Sequence, residues 1–290
     1  MDTRVSKNKK IYAIVLTYDA NIIFVDNLLC KMDRLWPSLN FIFRIPYNST
    51  KPEFLKEKYP KLKIEFKKTP SHIKPTVLTL LSDLDANDWV YWCIDDKFPV
   101  DLDKTKVQQT SNWVRLQEDQ SISGVSFAKV RRLKKKRNLD EKNKISICEK
   151  FDLVKRKSFR TQFWLHQFFR VKVIREVFAS FPDTNFRAKD MDAYIKDVCV
   201  DPSLRFYVTE KNCAVFCESA SRGIATQSLK RSLIECGISN YSKKTFSHTD
   251  IVIGHLNSFE SYKSHATAAK TKLWRIFQKY LNVFTRRNSK

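Results

Sequence analysis

The sequence predicts an α/β fold in which a mostly parallel sheet is flanked by helices. Short apolar segments alternate along the chain with segments whose apolar residues recur at helical spacing. Ile11–Leu16 and Trp89–Ile94 are continuous apolar runs, the pattern of strands covered on both faces. Strands that alternate with helices give a doubly wound sheet with right-handed crossovers. Hydrophobic residues make up 42% of the 290 residues, which is enough for a large core.

The remaining elements follow from the same two periods. Further strands are predicted at residues 41–45, 62–66, 89–94, 122–127, 204–208 and 214–216. Helices are predicted at residues 21–35, 73–84, 101–118, 171–181, 191–198, 224–236 and 268–284. Pro46 is expected to end the second strand, because proline cannot donate to a sheet. Asp101 is expected to cap the third helix.

Two basic segments divide the chain. Residues 1–262 are predicted to form the main domain, with a basic, exposed insertion at about 129–145. Residues 263–290 are predicted to form a basic amphipathic helix. Its apolar side is made by Leu273, Trp274, Phe277, Tyr280, Leu281 and Phe284. That pattern is typical of a helix at an anionic membrane surface, although the same side chains could equally pack on the domain.

The net charge of +23 implies an anionic partner. Nucleic acid, an anionic membrane surface and a phosphorylated substrate all meet that description. A basic nucleic-acid-binding protein without catalysis is therefore the alternative function, but no recognised nucleic-acid motif occurs. With only 4 glycines, the chain has neither a GxGxxG nor a GxxxxGK[ST] phosphate loop, which argues against classical dinucleotide and P-loop enzymes.

The localisation predicted from the sequence is cytoplasmic, with a peripheral position at the inner face of the plasma membrane. The seven cysteines are scattered and odd in number, which fits a reducing compartment. The N-terminal residues MDTRVSKNKK lack the apolar run of a signal peptide. No run of about 18 apolar residues is present that would span a bilayer.

The sharpest chemical feature is the pair Asp95–Asp96, directly after the apolar run Trp89–Ile94. Ligands of open parallel sheets bind outside the carboxyl ends of the strands. Adjacent carboxylates repel each other, and a hard divalent cation relieves that repulsion. The pair therefore predicts a Mn²⁺ or Mg²⁺ site that also engages substrate phosphates. In the alternative interpretation, the pair is solvated and caps the next turn.

A second candidate group follows the first strand. Thr17, Tyr18 and Asp19 offer an aromatic ring and a carboxylate that could hold a nucleobase and its ribose. A helix entry, with Asp19 as its cap, explains the same residues equally well. Lys97 and Arg222 are candidates for contacts with phosphate oxygens, and ordinary surface charge is the alternative for both.

Five sequence blocks follow one another along the chain: IVLTYDAN, IKPTVLTLLSDLDANDWV, VYWCIDDKFP, FWLHQFFRVKVIREVF and CESASRGIATQSLKRSLIECGI. Taken in this order, they resemble GT-A-fold glycosyltransferases, and in particular the family-2-like bacterial enzymes of capsule and lipopolysaccharide synthesis. In those enzymes strand one ends in a T-Y-(N/D) turn, and a later strand delivers a DxD-like motif. The resemblance covers residues 11–238 loosely.

The resemblance implies a GT-A (Rossmann-like) fold and metal-assisted sugar transfer in surface polysaccharide synthesis. The donor would be a nucleotide-diphosphate sugar, a UDP-sugar by preference, and the acceptor a glycan or a lipid-linked sugar. Thr17, Tyr18 and Asp19 would then lie at the nucleotide. Asp95 and Asp96 would take the DxD position, although the sequence here is I-D-D-K.

Sugar transfer with inversion also needs a general base near the acceptor hydroxyl. Asp190 and Asp192 lie near the place where the resemblance expects that base, and both stay open. Ordinary pairing of these acids with lysines on an exposed helix face is the alternative. His166 competes for the role, but a lone histidine between apolar residues is more often part of a core.

Overall fold

The computed structural model describes residues 10–36, 38–130, 138–184, 186, 190–221, 224–239, 246, 250–257 and 263–264. The strands are β1 (Ile11–Leu16), β2 (Phe41–Tyr47), β3 (Lys63–Lys68), β4 (Trp89–Ile94), β5 (Lys97–Leu102), β6 (Ile122–Ser126), β7 (Leu139–Cys148), β8 (Phe151–Arg156), β9 (Gln167–Arg170), β10 (Arg205–Thr209), β11 (Ala214–Glu218), β12 (Ala220–Ser221), β13 (Ile224–Ala225), β14 (Ile251–Ile253) and β15 (Lys263–Ser264). The helices are α1 (Ile22–Leu35), α2 (Phe54–Lys58), α3 (Ile73–Leu81), α4 (Lys104–Leu116), α5 (Val171–Ala179), α6 (Met191–Asp197) and α7 (Gln227–Glu235).

The main sheet has nine strands among the described residues, in the order β3-β2-β1-β4-β9-β6-β10-β8-β7. Strands β1 to β4 are parallel neighbours, and β6 is parallel to β10. Only β8 and β9 run against the others. This architecture confirms the predicted α/β fold, a large and mostly parallel sheet flanked by helices. The edge at which β1 to β4 end is called the carboxyl edge below.

Each face of the main sheet carries its own apolar core. Helices α1, α4 and α7 and a second sheet cover one face. That second sheet has the order β15-β14-β11-β5. Helices α3, α5 and α6 cover the other face. Because both faces are covered, β4 has no exposed residue and is an unbroken apolar run in the sequence.

Two predicted boundaries are wrong, each for a local reason. Pro46 lies inside β2 rather than ending it. The pairing of β2 with β1 stops at Arg44, so Pro46 lies where β2 has only β3 beside it, and proline is tolerated at such an edge position. The cap of α4 is Asp103, whose carboxylate accepts from the N–H of Lys106, while Asp101 lies within β5.

The structure also bears on the two basic segments. Within the insertion expected at 129–145, residues 131–137 lie outside the described part of the chain. The residues after them form β7, which pairs with β8 at the end of the main sheet, so this portion is a charged edge strand. The amphipathic helix predicted at 263–290 lies outside the described residues except for β15. No helix in the described ranges is long and apolar enough to cross a membrane.

Helix α7 is fastened to α1 by one row of contacts. Cys30 and Cys236 form a disulfide, with their Cα atoms 6.2 Å apart. Beside it, the Ser232 hydroxyl donates to Asn27, and Lys31 pairs with Glu235 at 2.5 Å. The covalent link joins the first helix to the last described one, which the expectation of a reducing compartment did not anticipate.

Gly124 in β6 allows side chains of the two neighbouring strands to approach closely. A Cβ atom at this position would lie 2.6 Å from Cδ1 of Phe206 and 3.0 Å from the ring of Phe169. Both rings are buried, so neither moves freely. We expect Gly124→Ala to lower the free energy of unfolding by about 1–3 kcal/mol. Urea unfolding measures this, and Phe206→Leu in the same chain should recover part of the loss. An unchanged midpoint in Gly124→Ala would contradict the packing described.

Candidate functional site

The site is built where β1 and β4 end side by side at the carboxyl edge. The Thr17 hydroxyl donates to Oδ2 of Asp95 at 2.7 Å, and the Asn21 side chain also bonds this carboxylate. The backbone N–H of Asp95 donates to the carbonyl of Leu16. Thr17 and Asp95 therefore form one unit across two neighbouring strands, as expected for residues at the same end of parallel strands.

Asp95 is a buried carboxyl group. Burial raises its pKa to about 7, and the charge of Asp96 acts in the same direction, while the Thr17 hydrogen bond opposes them. At neutral pH a large share of this group is protonated. Asp95 is thus placed to hold the strand ends together rather than to present a full negative charge to a ligand.

Asp96 and Lys97 form an ion pair at the mouth of the site. Lys97 Nζ donates to Asp96 Oδ1 at 2.9 Å. The Asp96 side chain is 41% exposed, whereas that of Lys97 is 10% exposed. A turn at Asp95 and Asp96 leads into β5, which pairs antiparallel with β11, and the register places Glu218 opposite Lys97. The Ser219 hydroxyl donates a hydrogen bond to the carbonyl of Asp95, and the Ser219 N–H donates one to the carbonyl of Asp96.

The acids around Lys97 keep it charged. Burial lowers the pKa of Lys97, but the negative charges of Asp96, Glu218 and Asp95 outweigh burial and raise the pKa above its ordinary value. Burial raises the pKa of Glu218, which Lys97 opposes. The result is a cluster of three carboxyl groups and one ammonium at the carboxyl edge. Glu218 was missed in the sequence, although it ends the apolar strand β11 much as Asp95 follows β4.

The carboxylate oxygens of this cluster are not arranged to bind a resident Mn²⁺ or Mg²⁺ ion. Such an ion needs oxygen ligands that face one point. Asp95 is buried with one oxygen on Thr17, and one oxygen of Asp96 is on Lys97. Among the residues that the structure describes, no group of three or more His, Cys, Asp or Glu side chains converges to hold a metal. A metal ion at Asp95 and Asp96 would have to compete with Thr17 and Lys97 for these oxygens, and the metal site predicted there stays a prediction.

Tyr18 and Asp19 lie beside this cluster. The Tyr18 side chain is 52% exposed at the carboxyl edge and is free to stack on a planar ligand. The Asp19 carboxylate accepts backbone N–H bonds from Asn48 and Ser49 at 2.8 Å and from Thr50 at 3.2 Å. Asp19 thus holds the loop after β2, which is a role the sequence did not indicate.

We expect Asp19→Asn to lower the free energy of unfolding by about 2 kcal/mol at neutral pH, because the hydrogen bonds lose their charge. Burial alone raises the pKa of Asp19, but the three N–H donors outweigh burial and lower it. A lowered pKa means that this stabilisation is present above the unfolded-state pKa and is lost as the pH falls. Urea titrations at several pH values should show the difference from the native chain begin to shrink at about pH 4, the unfolded-state pKa, and disappear only as the pH falls through the lower folded-state pKa. A constant difference down to about pH 3 would contradict this role.

His166 lies beneath the site and not in it. Its side chain is fully buried, and Nε2 lies 3.0 Å from the carbonyl oxygen of Ile94. The ring packs against Phe216 and Tyr91. Burial lowers the pKa of His166 to about 4, so the ring is neutral at physiological pH. This is the environment of a core histidine that supports the end of β4.

The acids predicted as general base lie on the other face of the sheet, near α3 and α5. Asp190 immediately precedes α6 and is half-buried, and Asp192 lies in its first turn and is exposed. Arg222 lies outside the described residues. A groove of about 160 Å³ runs between the first turn of α3 and the chain after α5. Its lining includes His72, Lys74, Leu78, Pro182 and Phe186.

Comparison with known proteins gives similarities of low score. No family model matches the chain, and no curated protein matches it. Among solved structures, 4-diphosphocytidyl-2C-methyl-D-erythritol synthase from Anaerococcus prevotii matches 79% of this chain and 97% of its own, with 12% identity and a TM-score of 0.44. A structure of residues 1–349 of S. aureus TarS matches 71% of this chain and 59% of its own, with 14% identity and a TM-score of 0.41. At these scores we draw nothing from them about the reaction, and the resemblance to capsule and lipopolysaccharide enzymes stays a prediction.

Proposed function

We propose that this chain is a glycosyltransferase that moves a sugar from a nucleotide-diphosphate donor, by preference a UDP-sugar, to a glycan or lipid-linked acceptor. The observation that carries the proposal is the charged cluster at the carboxyl edge, where β1, β4, β5 and β11 bring Thr17, Asp95, Asp96, Lys97 and Glu218 together. Ligands of α/β sheets bind at this edge. An exposed Tyr18 beside the cluster offers a face for the nucleobase.

The transfer breaks the bond between the sugar and the diphosphate, and negative charge grows on the leaving oxygen. An ammonium fixed near that oxygen stabilises the transition state more than the bound substrate. Lys97 is proposed as this cation, because its ammonium lies within the cluster at the carboxyl edge. The acceptor hydroxyl must lose a proton as it attacks, and Asp190 or Asp192 is proposed as the carboxylate that takes it.

A melting experiment with a panel of nucleoside diphosphates and nucleotide sugars tests the proposal. Each ligand is added once with excess EDTA and once with MnCl₂. A ligand present at about 100 times its Kd should stabilise the folded chain by about 2.7 kcal/mol. The donor selected in this way is then used in an assay of released nucleoside diphosphate.

Absence of any melting shift across the panel would overturn the proposal. Steep salt-dependent binding to generic DNA or RNA without a nucleotide effect would instead favour the nucleic-acid-binding alternative, which the net charge of +23 keeps open. Peripheral binding to an anionic membrane surface, with the helix predicted at 263–290 as the contact, is a further part of the proposal and is tested by vesicle sedimentation with and without that segment.

A further inference from the structure

Lys97, like Arg44 within β2, is a buried basic residue paired with acids, but Lys97 lies at the carboxyl edge. Only 8% of the residue is exposed. Burying an ammonium is costly unless charged partners compensate it. Here Asp96 contacts it directly, and Glu218 lies opposite it on the neighbouring strand. Two separate segments of the chain therefore converge on one positive charge at the carboxyl edge.

A purely structural role does not require that charge. A buried ion pair can usually be replaced by apolar side chains with little change or a gain in stability. The position opens β5, whose next residue, Phe98, is fully buried, so an apolar side chain at 97 would fit the local pattern. An ammonium at the ligand-binding edge is therefore best explained by a ligand that needs it.

The Lys97 ammonium also has N–H donors that no group in the described residues uses. A lysine ammonium carries three N–H donors. Within the described residues, one of them is used, in the bond to Asp96 Oδ1. The carboxylate thus fixes the position of Nζ while leaving donors for the oxygens of a ligand. Phosphate oxygens suit such donors, because hydrogen bonds between ionised groups are the strong ones.

We propose that Lys97 is the resident cation of the donor site and neutralises the diphosphate of the bound nucleotide, so that nucleotide binding needs no divalent metal ion. The inference rests on the proposed function. The reason is the geometry of the same cluster. The Lys97 ammonium already occupies the position beside the Asp96 carboxylate where a metal ion would have to bind. In this proposal the Asp96 carboxylate holds the Lys97 ammonium in position for the diphosphate.

Isothermal titration of UDP into the native full-length chain tests this, once with excess EDTA and once with saturating MnCl₂. We expect the two Kd values to agree within about threefold, a difference below about 1 kcal/mol. Lys97→Met should weaken UDP binding in EDTA by roughly 10- to 100-fold, the loss of a charge-assisted hydrogen bond. Lys97→Arg keeps the charge and should retain most of the affinity. Lys104→Met, at an exposed lysine that begins α4, is the matched control and should bind UDP as the native chain does.

The outcomes separate the two ideas. UDP binding that appears only with Mn²⁺ overturns the resident cation and leaves the glycosyltransferase proposal standing. Binding in EDTA that Lys97→Met does not weaken also overturns it. Absence of UDP binding under both conditions also overturns the resident cation, and only together with the absence of any melting shift across the nucleotide panel does it overturn the glycosyltransferase proposal. If Lys97→Met does not fold, as circular dichroism would show, the comparison of EDTA with Mn²⁺ in the native chain and the Lys97→Arg variant still decides the question.

Discussion

Replacing Asp96 by asparagine is expected to lower kcat/KM for sugar transfer at least about 100-fold, the scale on which one preorganised charge contributes to catalysis. Asp96 fixes the Lys97 ammonium through Oδ1. Its other carboxylate oxygen makes no hydrogen bond within the described ranges, so this oxygen is available to a hydroxyl of the donor sugar. The neutral amide keeps the shape of the side chain but loses the charge that aims the ammonium.

The same variant should melt close to the native temperature, because the Asp96 side chain is 41% exposed and Glu218 still compensates the buried Lys97 ammonium. Asp101→Asn is the matched control, since Asp101 is an exposed acid on the strand that Lys97 begins. Release of nucleoside diphosphate from the donor selected by melting measures the effect. Full activity of Asp96→Asn would remove the cluster from the mechanism, whereas a large drop in melting temperature would assign Asp96 a structural role.

The position of this cluster could be predicted from the sequence because it depends on local order along the chain. A continuous apolar run such as Trp89–Ile94 is typical of a strand covered on both faces, and the residues directly after such a strand lie at the sheet edge. The same reasoning placed Thr17 after β1, and the two side chains do meet. Parallel strands make this inference reliable, since their ends share one edge.

The missed parts of the fold have strands with weaker patterns. β5 contains Pro99 and lies at the edge of the second sheet, where its pairing with β11 shifts register. Proline is tolerated in an edge strand next to an irregular register. In the sequence, however, it interrupts the apolar pattern by which a strand is predicted. β7 is a largely exposed edge strand, and its charged residues indicate a loop when only the sequence is considered.

Glu218 shows why the site could not be completed from the sequence. Its partner Lys97 lies far away along the chain, and only the pairing of β5 with β11 brings the two together. Since β5 was not recognised as a strand, nothing indicated that the end of β11 would face Asp96. The role of Asp19 was missed for a similar reason, because its three backbone donors belong to the loop after β2.

Removal of the disulfide is expected to be the largest single effect on stability. Cys30 and Cys236 are 206 residues apart in sequence, so the bond restricts most of the unfolded chain. Bonds of this kind contribute about 2–4 kcal/mol. We expect Cys30→Ser with Cys236→Ser, or reduction of the native chain, to lower the melting temperature by roughly 5–15 °C. Calorimetry with and without dithiothreitol measures the shift, and Cys199→Ser, at an exposed free cysteine, is the control.

Alkylation of the denatured but unreduced chain supplies the independent check. Mass spectrometry should find labels on Cys93, Cys148, Cys199, Cys213 and Cys217 and on neither partner of the bond. Labels on all seven cysteines and a melting temperature insensitive to dithiothreitol, in native chain that was first exposed to an oxidant, would contradict the link between α1 and α7. The packing alone does not force oxidation, because Ser232 and Glu235 already join α7 to α1 through Asn27 and Lys31. The compartment therefore decides the state of the pair: a reducing cytoplasm, as the sequence predicts, should yield the less stable form of the same fold.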